Sequence, residues 1–274
     1  MPRLRRAKDP EGRMPLGAHF RELRNRVLIA TVAITVAAIV GWYLYDPVIA
    51  FLTAPIEAVK NERGDDLVSL NFNSITGPFA MRLKVAVFVG ILMASPVWLW
   101  QAWGFLLPGL LPKERKIALV YFFISIPLFF LGAAMAAYTF PRLVGILLSF
   151  TPKGLANIQT ANDYFSTALF FCLAFGLAFL LPVLLVALNQ IGILPAHLMR
   201  KSWRITLFGI LIFSAFMTPD PSAVSMLAMA APVFALFWCA VAVAFFMERL
   251  RRKRGVDPRN RYARLSPDEA TPLS

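Results

Sequence analysis

The sequence predicts an all-α integral membrane protein: six transmembrane helices forming a kinked, cup-like bundle, with a short fifth helix and both termini in the cytoplasm. Three observations predict it. Hydrophobic residues make up 58% of the 274 and charged residues 16%, against about 45–50% and about 25% in soluble domains. The apolar residues, including 24 Phe, gather into six runs. The net charge of +13 is concentrated in one alternate set of the segments between those runs.

The first run, Val27 to Tyr45, is long enough to cross about 30 Å of hydrocarbon. A long basic stretch precedes it and no small-residue cleavage pattern follows, unlike a cleavable signal peptide. The second extends from Val85 to Leu107, the third from Ile117 to Phe140, and the fourth from Tyr164 to Ile193. The fifth, Ile205 to Met217, covers only about 20 Å. With the turn Thr218-Pro219-Asp220-Pro221 it forms a short hairpin around which a bilayer would thin; alternatively, Lys201 to Arg204 extend it with snorkelling side chains. The sixth starts at Ala223 and fades at Met247. Pro96, Pro127, Pro182 and Pro232 break the spans and predict bent helices. No strand pattern or internal repeat is apparent. Residues 1–15 and 251–274 read as basic tails, disordered in water, flanking one membrane domain over 16–250. Cys172 and Cys239 lie inside apolar runs and read as small core residues, not as a disulfide or metal pair.

Orientation follows from the charges. The segments before Val27, around Lys113, around Arg200 and after Met247 hold 22 of the 28 Lys/Arg and eight of the 15 acids. The other segments hold six and seven. Cytoplasmic loops carry the excess of Lys and Arg, so both termini lie inside, as an even number of spans requires. Trp42, Tyr43 and Tyr45 then end the first helix outside, and Trp98, Trp100 and Trp103 end the second inside. The basic excess is accounted for by topology and anionic lipid rather than nucleic acid.

Several chemistries lack their residues. No ionisable side chain occupies the central part of any run, where pumps and ion-coupled transporters keep them. The two histidines, His19 and His197, lie in separate loops, so neither a paired-histidine metalloprotease nor an intramembrane Ser–His protease is built, and no phosphate loop is present. The chain reads as a non-enzyme without metal or cofactor.

Two cytoplasmic carboxylates stand out. Glu22 lies in His19-Phe20-Arg21-Glu22-Leu23-Arg24-Asn25-Arg26, just before the first span, where Arg26 is its i,i+4 partner. Glu114 follows Pro112 at the start of the third helix, where a first-turn acid suits the helix dipole. The functional alternative is that both acids dock a cationic partner, since a carboxylate accepts two parallel bonds from a guanidinium.

His19-x-x-Glu22-Leu23-Arg24-x-Arg26 resembles the amino-terminal signature of the TatC family, the core receptor of the twin-arginine protein translocase. Pro96-Val97-Trp98-Leu99-Trp100-Gln101-Ala102-Trp103-Gly104-Phe105-Leu106-Leu107-Pro108, followed by Glu114-Arg115-Lys116, resembles that family's second-helix end and first cytoplasmic loop. Phe175-Gly176, Phe179 and Pro182 resemble its fourth helix, and Thr218-Pro219 its last periplasmic turn. The resemblance covers Leu16 to Leu250. It implies Sec-independent export of folded proteins, driven by the proton-motive force. The implied partners are twin-arginine signal peptides, membrane lipids, and TatA and TatB (or one bifunctional TatA), in a hetero-oligomer with several copies of this chain in the cell membrane. By motif, Glu22 and Glu114 would hold the paired arginines, with Arg24, Phe105 and Pro108 on the same recognition surface. Thr218, Pro219 and Ser225 would lie near the partner-subunit contact. Two departures stand out: Leu180 occupies a fourth-helix position often polar in the family, and Ser225 one where Gln often follows the turn. A six-span solute transporter and a membrane scaffold with a basic tail are the alternative readings.

Overall fold

A computed structural model describes residues 16–63, 68–106, 112–149, 157–191, 194–217 and 223–253. Nine helices and two short strands are found among them: α1 (Leu16–Tyr43), α2 (Tyr45–Arg63), β1 (Val68–Asn71), α3 (Gly77–Met93), α4 (Ser95–Leu106), α5 (Pro112–Ser149), β2 (Asn157–Thr160), α6 (Ala161–Ile191), α7 (Ala196–Lys201), α8 (Trp203–Met217) and α9 (Ala223–Lys253). Among the described residues, four helical stretches are long and apolar enough to cross a membrane: His19–Tyr43, Leu119–Ile146, Ala161–Gln190 and Met226–Arg251. The bent pair α3–α4 passes the same test when its two helices are taken together, and α8 is a shorter apolar helix. The residues divide into two compact units, one holding Ile158–Ser166 and everything up to Ile126, the other Pro127–Asn157 and everything from Thr167.

In the first unit, α1 packs along α3 and α4. Glycines allow this close approach. A methyl group on Gly41 would come within 2.6 Å of the Ala86 carbonyl oxygen, and one on Gly90 within 2.7 Å of that of Ile34. Small residues at a helix crossing are how membrane helices bring backbones together without a hydrophobic driving force. The rest of α1 presents Val27, Leu28, Val32, Val36 and Ile39 outward, as a helix bathed in lipid should.

The second expected span is not one rod. Between Met93 and Ser95 the axis turns by 60°. Pro96 is the cause: its ring clashes with the carbonyl four residues back and it has no N–H to give. The carbonyl of Ile91, at the break, accepts from the Trp98 indole N–H at 2.9 Å, which supplies a donor to backbone where the helix ladder is interrupted. Further along α4, the Trp103 indole donates to Ser125 Oγ at 2.9 Å, and that hydroxyl donates to the Tyr121 carbonyl at 2.7 Å.

At the other end of this unit β1 pairs with β2. Asn73 Nδ2 donates to Thr160 Oγ1, and Lys84 Nζ to Asn162 Oδ1 and Ser166 Oγ at 3.1 and 2.8 Å. Tyr164 donates its hydroxyl to the Leu52 carbonyl. The Arg82 guanidinium lies 5.0 Å from the Trp42 ring and 5.3 Å from that of Tyr45, cation–π distances. Burial first, and Asp46 second, raise the Tyr45 phenol above its ordinary pKa, with Arg82 pulling the other way.

In the second unit, α5 and α6 interlock through Gly132, which faces the Phe175 carbonyl and the Phe179 ring, and Gly176, which faces the Phe129 ring. Phe129, Phe171 and Phe175 are fully buried there. α7 and α8 pack on α9.

Several expectations are corrected. Helix resumes at Tyr45 after the first run, giving α2 over residues read as a connecting segment; its charged residues hide it from a search for continuous apolar runs. The two strands were not anticipated, because four residues are too few to establish a period of two. Pro127, Pro182 and Pro232 do not break their helices, and Pro141 also lies inside α5. Cys172 is buried, but Cys239 lies on the outward face of α9. The fifth helix begins at Trp203 rather than Ile205, and its 15 residues span about 22 Å; Lys201 belongs to the separate α7. The turn Thr218-Pro219-Asp220-Pro221 and the tails 1–15 and 254–274 lie outside the described residues.

Candidate functional site

On a helix, residues three or four apart share a face, and residues two apart do not. The segment His19 to Arg26 is helical, so His19, Glu22 and Arg26 line up on one side of α1. That side meets α4. The α4 partners, Gln101, Gly104 and Phe105, are themselves spaced by three and four.

Two contacts define the meeting. The His19 ring stacks on Phe105, with centroids 4.6 Å apart and planes 21° from parallel. Beside it, Glu22 Oε1 accepts two bonds from Arg26, at 3.0 Å from Nε and 2.6 Å from Nη2. The third nitrogen, Nη1, donates to Gln101 Oε1 at 3.4 Å. Both charged side chains are 25% exposed, so the pair lies partly out of water but open to it. Gly104 forms the floor: a methyl group added there would collide with the Arg26 guanidinium. The guanidinium thus fills the space an ordinary side chain would claim. A carboxylate, an amide oxygen and a bare stretch of backbone suit a planar cation with fork-like donors.

The structure therefore brings Glu22 and Phe105 to one place and adds Arg26, Gln101, Gly104 and His19 to them. Arg24 is exposed on a different face of α1, where its Nη2 reaches Asn25 Oδ1 at 3.4 Å. Glu114 lies in the first turn of α5, but its side chain is outside the described residues, as are Pro108, Thr218 and Pro219 entirely. Ser225 is in the first turn of α9, its side chain likewise undescribed. Leu180 sits part-buried within α6. No group of three or more metal-ligating side chains occurs among the described residues. Gln101 and Gly104 were legible as spacing, one turn apart on the α4 face that carries Phe105, but nothing local says that this face meets α1.

A second carboxylate has a different setting. Glu248 Oε1 on α9 accepts from Asn189 Nδ2 and from the Ala196 backbone N–H, both at 2.8 Å. Arg251 donates to the Asn189 and Gln190 carbonyls, at 3.4 and 3.0 Å, and to Asn189 Oδ1 at 3.1 Å. The acid thereby caps the first residue of α7 and the arginine takes the last carbonyls of α6, as the partial charges at those helix ends favour. Asn189 is only 2% exposed.

Comparison with known proteins identifies the family. The family model described as "Sec-independent protein translocase protein (TatC)" matches residues 18–232. The TatC protein of Xylanimonas cellulosilytica is 38% identical over 242 residues, covering 88% of this chain and 87% of its own. TatCy of Bacillus subtilis is 32% identical over 249 residues, covering 90% and 95%. The crystal structure of the twin-arginine translocase receptor TatC in DDM superposes with a TM-score of 0.72 at 26% identity, over 82% of this chain and 99% of that one. The α1–α4 site falls within the matched residues.

Proposed function

We propose a function for this chain from one premise: it belongs to the TatC family, and is a multi-pass membrane component of the Sec-independent twin-arginine translocase. On that premise it is a receptor for the paired arginines of signal peptides on folded precursor proteins. The observation that carries this reading is the grip of Glu22 on a guanidinium, through two N–H···O bonds to one oxygen, in a part-buried notch beside Phe105. Charge-assisted bonds of this kind are roughly twice as strong as neutral ones, and loss of water around them strengthens them further. Glu114, one short connection after α4, would supply the second carboxylate, and Arg24 and Pro108 the margin of the surface.

In this reading both termini and the Glu22 site face the cytoplasm, in keeping with the segregation of basic residues. The signal peptide docks there, and TatA and TatB, or a single TatA serving both roles, join several copies of this chain to open a path powered by the proton-motive force. The turn between α8 and α9, with Thr218, Pro219 and Ser225, would lie at the partner contact. The short α8 beside it, with Ile205, Phe208 and Phe216 turned outward, offers apolar surface to a partner helix.

The test is binding of fluorescent signal peptides to the full chain in nanodiscs. A paired-arginine peptide should bind about tenfold or more tightly than its paired-lysine analogue, and Glu22→Ala should abolish most of that advantage. Equal binding of the two peptides by wild type and variant would sink the recognition claim.

A further inference from the structure

Glu22 is not vacant. Its Oε1 is held by a guanidinium of the chain itself, and that guanidinium has a partner at each nitrogen: carboxylate at Nε and Nη2, amide oxygen at Nη1, with the side-chain-free Gly104 close beside Nη1. We propose that Glu22, Gln101 and Gly104 form a guanidinium seat, that Arg26 is its resident occupant, and that an incoming arginine binds by taking Arg26's place. This rests on the receptor reading above and adds to it a threshold, together with two residues, Gln101 and Gly104, that shape the seat.

Three observations support it. First, the seat is complementary to a planar fork rather than to a point charge. Gly104 leaves room beside Nη1 that any side chain would take from the fork, and Gln101 accepts a bond from the one guanidinium nitrogen that Glu22 does not engage, whereas a lysine ammonium has a single nitrogen to offer both acceptors. Second, the occupant is attached loosely. The pair is a local i,i+4 contact, a quarter exposed, and converges on Oε1 alone, while Oε2 takes no bond from any described residue. Such pairs are weak and exchange readily. Third, the charge balance favours an exchange over an addition. Glu22 is the one acid among Arg21, Arg24 and Arg26, so an added cation meets repulsion, whereas a swap leaves the seat's charge unchanged. Once released, Arg26, already a quarter exposed, has water beside it to receive its charge. While resident, it holds the Glu22 carboxylate beside α4.

An internal competitor scales every ligand that uses the seat by the same factor, because it only reduces the fraction of receptor that is open. Competition is thus separable from specificity. Arg26→Gln in the full chain in nanodiscs should tighten paired-arginine peptide binding about two- to fivefold, the range expected when a weak local ion pair no longer competes. The preference over the paired-lysine peptide should stay the same. Gly104→Ala puts a methyl group into the seat and should weaken the arginine peptide more than the lysine one. Alanine favours helix, so thermal unfolding should show α4 intact. In the double variant, the gain from Arg26→Gln should disappear. Should Arg26→Gln leave affinity unchanged or weaken it, with Arg26→Lys restoring part, Arg26 positions Glu22 and the displacement proposal is overturned. If instead wild type shows no preference for arginine, the receptor reading itself fails, and this inference with it. NMR of arginine side chains labelled with 15N supplies a readout independent of affinity. The Arg26 Nε–H signal should move toward that of a free arginine when the paired-arginine peptide is added; a bound peptide with that signal unmoved overturns displacement.

Discussion

Two carboxylates, each joined to an arginine-rich helix end, behave as opposites. Glu22 is held by a neighbour one turn along its own helix, through one oxygen, at a quarter exposure. Glu248 reaches across to residues 59 and 52 positions away, an amide and a backbone N–H, and ties the end of α6 and the start of α7 to α9. Sequence distance decides what each can do. A local pair survives the departure of its partner, since the helix under it remains. A long-range tie has no such reserve, because the groups it satisfies are buried and have no water to turn to. An acid that must accept a visitor belongs in the first setting, and one that must hold elements together belongs in the second.

Substitutions put this contrast to the test. The largest effect should come from Glu248→Ala, which removes the acceptor of the Ala196 N–H and one of the two acceptors of Asn189 Nδ2, the other being the Leu194 carbonyl. Leaving buried donors unpaired costs about 1–3 kcal/mol each, so thermal unfolding in detergent should shift clearly downward; an unchanged midpoint would mean that water replaces the carboxylate. Arg251→Lys keeps the charge but loses the fork that reaches two carbonyls and an amide oxygen, and about 1 kcal/mol of stability should go with it. Glu22→Gln should be the mildest for stability, under about 0.5 kcal/mol, since only a local i,i+4 pair open to water is weakened. Salt separates the two sites in a different way. Raising ionic strength from about 0.05 to about 0.5 M should weaken peptide binding at Glu22 through screening, while the stability difference between wild type and Glu248→Ala barely moves. If both respond alike, the supposed difference in burial is wrong.

What was legible in the chain follows the same division between local and distant. The spans could be read because hydropathy summed over about 20 residues needs no knowledge of neighbours. The Glu22–Arg26 pair could be read from a spacing of four. α2 escaped because its uncharged stretch, Pro47 to Ile56, is too short to span before Glu57, Lys60, Glu62 and Arg63 end it. The pairing of β1 with β2 joins segments some 90 residues apart, and four residues apiece carry no period. At the site, the family motif grouped Arg24 with Glu22, yet a separation of two turns it to another face of α1. Gln101 and Gly104 appeared in the motif as mere members of an aromatic-rich run. Their place beside Glu22 depends on how α4 leaves α3, and that is decided at Pro96. Asn189, Glu248 and Arg251 gave no signal, because each is unremarkable alone and they meet only after folding.

The 60° turn between α3 and α4 makes a lever of α4. Gly104 lies roughly nine residues beyond the break, an arm of about 13 Å at the rise of an α-helix. For a swing of 60° the end of an arm travels its own length, so a straight helix would carry Gly104 about 13 Å away, beyond reach of any side chain on α1. The address of the guanidinium floor is thus written in a single imino acid two turns upstream, which touches neither Glu22 nor Arg26.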